Sequence, residues 1–132
     1  MIIEGINLFA VLAAALSAFA LGGLWYSPIL LGRLWQREAG KPNLSKPHGA
    51  KVFILAFVLS FIAALAMALL LQRKPGLFMA IHTGVLAGLC WVSTSFGINY
   101  LFAGRSFKLF LIDAGYHTLQ FILYGVILGL WR

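Results

Sequence analysis

The sequence predicts an all-α polytopic membrane protein, with four transmembrane helices in one compact bundle. Three observations carry that expectation. The 132 residues are 62% hydrophobic and 10% charged, where a soluble domain averages about 45–50% and about 25%. Four stretches, at about 5–27, 52–71, 78–102 and 108–131, are each apolar over the ~20 residues that a hydrocarbon core demands. The ten Lys and Arg residues lie almost entirely between those stretches. A net charge of +7 placed in that way is a topology signal. It is not a nucleic-acid footprint, and residues 1–132 read as a single domain.

Each element follows in order. Ala18-Phe19-Ala20 resembles a cleavage site, but the only early charge is Glu4 and the apolar run continues to Trp25 and Tyr26. An uncleaved first span is therefore expected. Pro28 closes it. From Ile29 to Glu38, Leu30, Leu31, Leu34 and Trp35 share one side while Arg33 and Arg37 point the other way. That pattern predicts a short amphipathic segment in the headgroup region, at about 29–38. Arg33, Arg37 and Lys41 are expected to meet anionic lipid headgroups there.

Residues 40–49 carry two prolines and read as a linker, and Arg73-Lys74-Pro75-Gly76 reads as a tight turn. Asn43-Leu44-Ser45 fits the glycosylation triplet, a weak signal that the topology argues against. Gly104 and Ser106 suit the end of the third span and the N-cap of the fourth.

Seven basic residues (Arg33, Arg37, Lys41, Lys46, Lys51, Arg105, Lys108) fall on one side and three (Arg73, Lys74, Arg132) on the other. The first and third connections should therefore face the cytoplasm, with both termini on the opposite side. So unequal a charge balance argues against insertion in two orientations.

Small residues recur at every fourth position. The first span has Ala10, Ala14, Ala18 and Gly22; the second has Ala56, Ser60, Ala64 and Ala68. The third has Ala80, Gly84 and Gly88, and the fourth Gly125 and Gly129. Such ladders let helix backbones approach where lipid supplies no hydrophobic drive. Four of them suffice for a tight bundle and leave faces for contacts between copies, so a homo-oligomer is expected.

The fourth span is the unusual one. Asp113, Tyr116, His117, Gln120 and Tyr124 share an arc of about 100° on a helical wheel. Ile112, Leu119, Leu123, Val126 and Leu130 form the opposite, lipid-facing side. Asp113 lies ~9 Å and His117 ~3 Å from the centre of the span by helical rise, inside the ~15 Å hydrocarbon half-thickness. An ionisable group there costs roughly 2.5–3.5 kcal/mol by insertion scales, so the arc should face protein. Asp113 and His117 are one turn apart and could pair. Ser95 and Asn99 of the third span lie at similar depth, with Trp91 a turn further along. The expected site is a polar pocket between spans three and four, open toward the cytoplasm, in which Asn99 or Ser95 contacts Asp113.

Gly23-Leu24-Trp25-Tyr26-Ser27-Pro28, followed by Gly32 and Trp35, resembles the first-span signature of the domain-of-unknown-function 1761 family. Asn99-Tyr100-Leu101-Phe102, the run Lys108 to His117 ending Asp-Ala-Gly-Tyr-His, and Gly125 through Gly129 to Trp131 resemble its closing half. The resemblance implies a small four-span membrane protein, mostly bacterial, and hence the inner membrane. It brings no catalytic role to any residue.

Three readings of the arc remain open. In the first, the groups pin helix register in a scaffold or a partner subunit, because interhelical hydrogen bonds in membranes average only ~0.6 kcal/mol but fix geometry. In the second, Asp113 and His117 exchange a proton in a channel or transporter. In the third, His117 is a general base, with Ser95, Thr94 or Cys90 as nucleophile, but no motif joins them. Cys90 is the lone cysteine. No metal-ligand spacing is present, and no cofactor motif either. Trp25, Tyr26 and Trp35 suit an interfacial belt, and Trp25, Tyr26 and Trp91 could alternatively line a ligand cage.

Overall fold

The computed structural model describes residues 4–40, 49–72 and 76–131. Within them the chain is all-helical, with four helices long and apolar enough to cross a membrane. Helix α1 spans Leu8–Trp25, the short α2 Gly32–Glu38 and α3 Ala50–Leu71. Helix α4 spans Leu77–Ala103 and α5 spans Phe107–Leu130. The expectations for Lys41, Lys46, the Asn43 triplet, the turn at 73–75 and Arg132 fall outside the described residues.

The ends are set by local chemistry. Asn7 caps α1, its side-chain oxygen accepting from the amides of Phe9 at 3.0 Å and Ala10 at 3.2 Å. Gly104 ends α4 with φ +66°, a left-handed conformation in which a Cβ would be strained. Two residues on, Ser106 caps α5 by accepting from the Leu109 amide at 3.1 Å. The Ser106 hydroxyl also donates to the Glu38 carboxylate at 2.6 Å, and Arg105 donates to the Ala39 carbonyl at 3.3 Å. These bonds tie the end of α2 to the α4–α5 connection, so the first and third connections lie on one side of the bundle.

Helix α5 is central and packs against α1, α3 and α4, whereas α3 packs chiefly along α1. The closest contact is between α4 and α5, and glycine makes it. A Cβ on Gly84 would lie 2.4 Å from the Phe121 carbonyl oxygen, and one on Gly125 2.4 Å from that of Ala80. A Cβ on Gly88 would come within 2.8 Å of the Thr118 Cα. The two backbones therefore touch directly, as small-residue interfaces in lipid do. In α1, Ala10, Ala14 and Ala18 are fully buried, and in α3 Ser60, Ala64 and Ala68 are buried. Ala56 departs from its ladder: every residue from Gly49 to Ala56 is exposed. In that half of α3, Phe53 and Phe57 pack edge-on to Phe19 of α1, at 6.1 and 6.2 Å.

Between Leu86 and Val92, α4 is π-helical. The Ser93 amide bonds back five residues to the Gly88 carbonyl, so this turn holds one residue more than an α-helical turn. The side-chain face that α4 presents to α5 shifts by one residue as a result. Ala80, Gly84 and Gly88 are followed on the buried face by Ser93 rather than by Val92.

Gly125→Ala and Gly84→Ala should each lower thermal stability in detergent, by about 1–3 kcal/mol of forced backbone separation. Gly23→Ala, whose Cβ would meet nothing within 4 Å, should be neutral or stabilising by up to ~1 kcal/mol through helix propensity. Thermal unfolding of the three variants checks the contrast.

Candidate functional site

The polar arc of α5 faces protein. Asp113 is 8% exposed, Gln120 6% and Tyr124 0%, with Tyr116 and His117 half-buried. The opposite side is less uniform than the wheel suggests: Leu119 and Leu130 are exposed but Ile112 is buried. The Ile112 carbonyl accepts from the Trp25 indole Nε1 at 2.9 Å, and that indole lies flush against Gly115, where a Cβ would be 3.1 Å away.

Two hydrogen-bonded groups sit along the arc. At the end near α2, Asp113 takes one phenol on each carboxyl oxygen. Tyr26 donates to Oδ1 at 2.6 Å and Tyr100 donates to Oδ2. Three helices are thus joined at one side chain. Tyr26 also packs edge-on against Trp35 of α2, at 5.9 Å, and against Tyr116, at 5.5 Å. Tyr116 lies over Gly22 and donates to the Ala18 carbonyl at 2.9 Å.

Further along, His117 Nδ1 is 2.6 Å from Gln120 Oε1. Because an amide oxygen can only accept, the ring proton sits on Nδ1. Gln120 Nε2 donates to the Tyr124 hydroxyl at 2.6 Å. That hydroxyl donates to the Ser60 carbonyl at 3.1 Å and lies 2.7 Å from Ser60 Oγ. Ser60 Oγ in turn reaches the Ala15 carbonyl at 3.3 Å. This chain runs from α5 through α3 to α1. A separate knot joins α4 to α5, where Ser93 Oγ donates to the Gly88 carbonyl at 2.7 Å and lies 3.0 Å from Thr118 Oγ1. The Gly88 carbonyl thus accepts both the amide and the hydroxyl of Ser93.

The structure divides the residues that the sequence grouped. Asp113, Tyr116, His117, Gln120 and Tyr124 are together on the inner face, and Trp25 and Tyr26 join them from α1. Ser95, Asn99 and Trp91 do not. They are exposed and line an open groove of about 320 Å³ with Val92 and Phe96, on the other side of α4. Neither Asn99 nor Ser95 contacts Asp113; Ser95 Oγ instead donates to the Trp91 carbonyl at 2.8 Å. The π turn is the reason. With one residue inserted, Tyr100 takes the inward position that regular periodicity gives to Asn99, and Phe96 takes that of Ser95.

Nor do Asp113 and His117 pair, since each has its own partners. The His117 ring stacks on Phe96, with centroids 4.8 Å apart. Thr94, like Ser95, bonds its own helix's carbonyls, Cys90 is exposed, and His117 Nδ1 is committed to Gln120. Sequence reasoning missed Tyr100 and Ser93, whose roles depend on the π register. It read Ser60 only as a small packing residue.

These features define a small polytopic helical membrane protein, centred on one helix with a polar inner face. The chain belongs to the family described as Protein of unknown function (DUF1761), whose family model matches residues 9–129. No curated protein and no solved structure matches the chain.

Tyr124→Phe removes a hydroxyl that serves Gln120, Ser60 and the Ser60 carbonyl at once. It should lower stability in detergent by about 1–2 kcal/mol, the cost of stranding buried partners. Ser95→Ala, on the exposed face, should stay within about 0.5 kcal/mol of wild type. Thermal unfolding of both variants separates the inner network from the outer groove.

Proposed function

We propose that the protein is a helical scaffold of the bacterial inner membrane, which associates with copies of itself or holds a partner subunit. Its first and third connections lie on the cytoplasmic side, and Arg33 and Arg37, both exposed on α2, meet anionic headgroups there. The observation that carries this reading is the state of the polar network. Among the described residues, every buried side-chain nitrogen and oxygen has a hydrogen-bond partner within the chain. Those partners are distributed so that Asp113 joins α1, α4 and α5, and Tyr124 joins α3 and α5. A network spent on holding helices together is what a scaffold requires.

The second reading is a proton-linked channel or transporter using Asp113 and His117. One observation favours it: the His117 ring is only half-buried, and its Nε2 has no hydrogen-bond partner among the described residues. Against it stand the separate commitments of the two groups, Asp113 to two phenols and His117 to Gln120.

Proton flux into liposomes loaded with a pH-sensitive dye decides between the readings. The scaffold reading expects flux no greater than that of protein-free liposomes under an imposed pH gradient or potential. Flux well above that background, and abolished by Asp113→Asn or His117→Ala, would establish the transport reading instead.

A further inference from the structure

The groove on the outer face of α4 holds a polar side chain that the bundle leaves unserved. Asn99 has no hydrogen-bond partner among the described residues, and the same is true of the indole N–H of Trp91, which is 62% exposed. By helical rise, Trp91 lies ~2 Å and Asn99 ~13 Å from the middle of α4, inside the ~15 Å hydrocarbon half-thickness. Trp91 is near the middle of the 27-residue helix Leu77–Ala103. Asn99 is followed, nearer the cytoplasmic end, by Phe102 at 91% exposed and by Phe107 of α5 at 71% exposed. Rings so exposed suit lipid or the headgroup region, which lies beyond Asn99 from the midplane. An amide with no partner in an apolar medium is unfavourable, so this surface is incomplete as a monomer.

The chemistry of the side chain selects the occupant. A carboxamide is both donor and acceptor, so two copies related by a two-fold axis can each satisfy the other. An acyl chain can satisfy neither group. Equal depth is guaranteed if all copies insert the same way, and the seven-to-three charge bias imposes one orientation. Trp91, Ser95 and Asn99 recur at every fourth residue along one face of α4, the spacing of a helix–helix contact. Ser95, small and already bonded to its own helix, allows close approach beside the amide.

We infer that this face of α4 is a two-fold interface between copies of the chain, closed by reciprocal Asn99 amide hydrogen bonds and flanked by Trp91 and Ser95. The inference rests on the self-association in the scaffold reading and identifies its surface.

The test uses full-length protein in liposomes, with Cys90→Ala removing the native thiol. Ser95→Cys is compared with Ile62→Cys, which is exposed on α3, under mild oxidation. A disulfide needs Cα atoms within about 7 Å, so Ser95→Cys should give dimer and Ile62→Cys background. Adding Asn99→Leu should lower the Ser95→Cys dimer yield about tenfold, equivalent to ~1.4 kcal/mol, with the helical circular-dichroism spectrum unchanged. Equal yields at the two positions, or a yield indifferent to Asn99→Leu, would overturn the inference. Subunit counting by single-molecule photobleaching separates the two levels. A dimer that does not crosslink at Ser95→Cys rejects this surface and leaves self-association standing, whereas a monomer rejects both.

Discussion

Inside hydrocarbon there is no water to replace a hydrogen bond that a side chain fails to make, and the arrangement of this bundle follows from that constraint acting on α5. This helix carries an acid, an imidazole, a primary amide and two phenols on one arc. Each must find a partner on a neighbouring helix or on its own. Asp113 finds Tyr26 and Tyr100, Tyr116 finds the Ala18 carbonyl, and Tyr124 finds Ser60. Helix α5 is therefore central because its polar side cannot face lipid. The glycine contacts with α4 are the complement of this. Backbones that touch at Gly84, Gly88 and Gly125 bring the carbonyls and hydroxyls of the two helices within bonding range.

Much of this was legible in the sequence. Composition and the four apolar stretches specify the class, because hydrophobic length is a physical requirement of the bilayer. The small-residue ladders locate the packing faces, and the wheel of α5 locates the polar arc. Gly104 and Ser106 could be assigned their roles because capping chemistry is local. What failed were inferences carried across the middle of α4. A constant 3.6-residue period puts Ser95 and Asn99 beside Asp113, and the π turn at Leu86–Val92 shifts every later residue by one. Nothing in residue type alone announces that insertion. The turn coincides with tertiary contacts, since Gly88 lies against the α5 backbone and Ser93 Oγ is 3.0 Å from Thr118 Oγ1.

The same turn gives α4 two chemically different faces. Toward α5 it presents Tyr100, which serves Asp113; away from the bundle it presents Asn99, which has no hydrogen-bond partner among the described residues. An all-α register through residue 103 would reverse those assignments, with an amide on the acid and a phenol in lipid. The π turn thus decides which polar groups of α4 face the bundle and which face outward.

The central claim is that the inner polar arc, and Asp113 above all, holds the helices in place. Thermal unfolding of wild type and Asp113→Asn in detergent, at pH 5 and pH 8, tests it most directly, because the substitution preserves shape and alters only the acid. If Asp113 joins α1, α4 and α5 as described, the variant is less stable at both pH values, by about 1–3 kcal/mol for bonds to such a group. A variant as stable as wild type or more so would contradict the account. It would mark Asp113 as a group retained at a cost in stability, as residues kept for an activity often are.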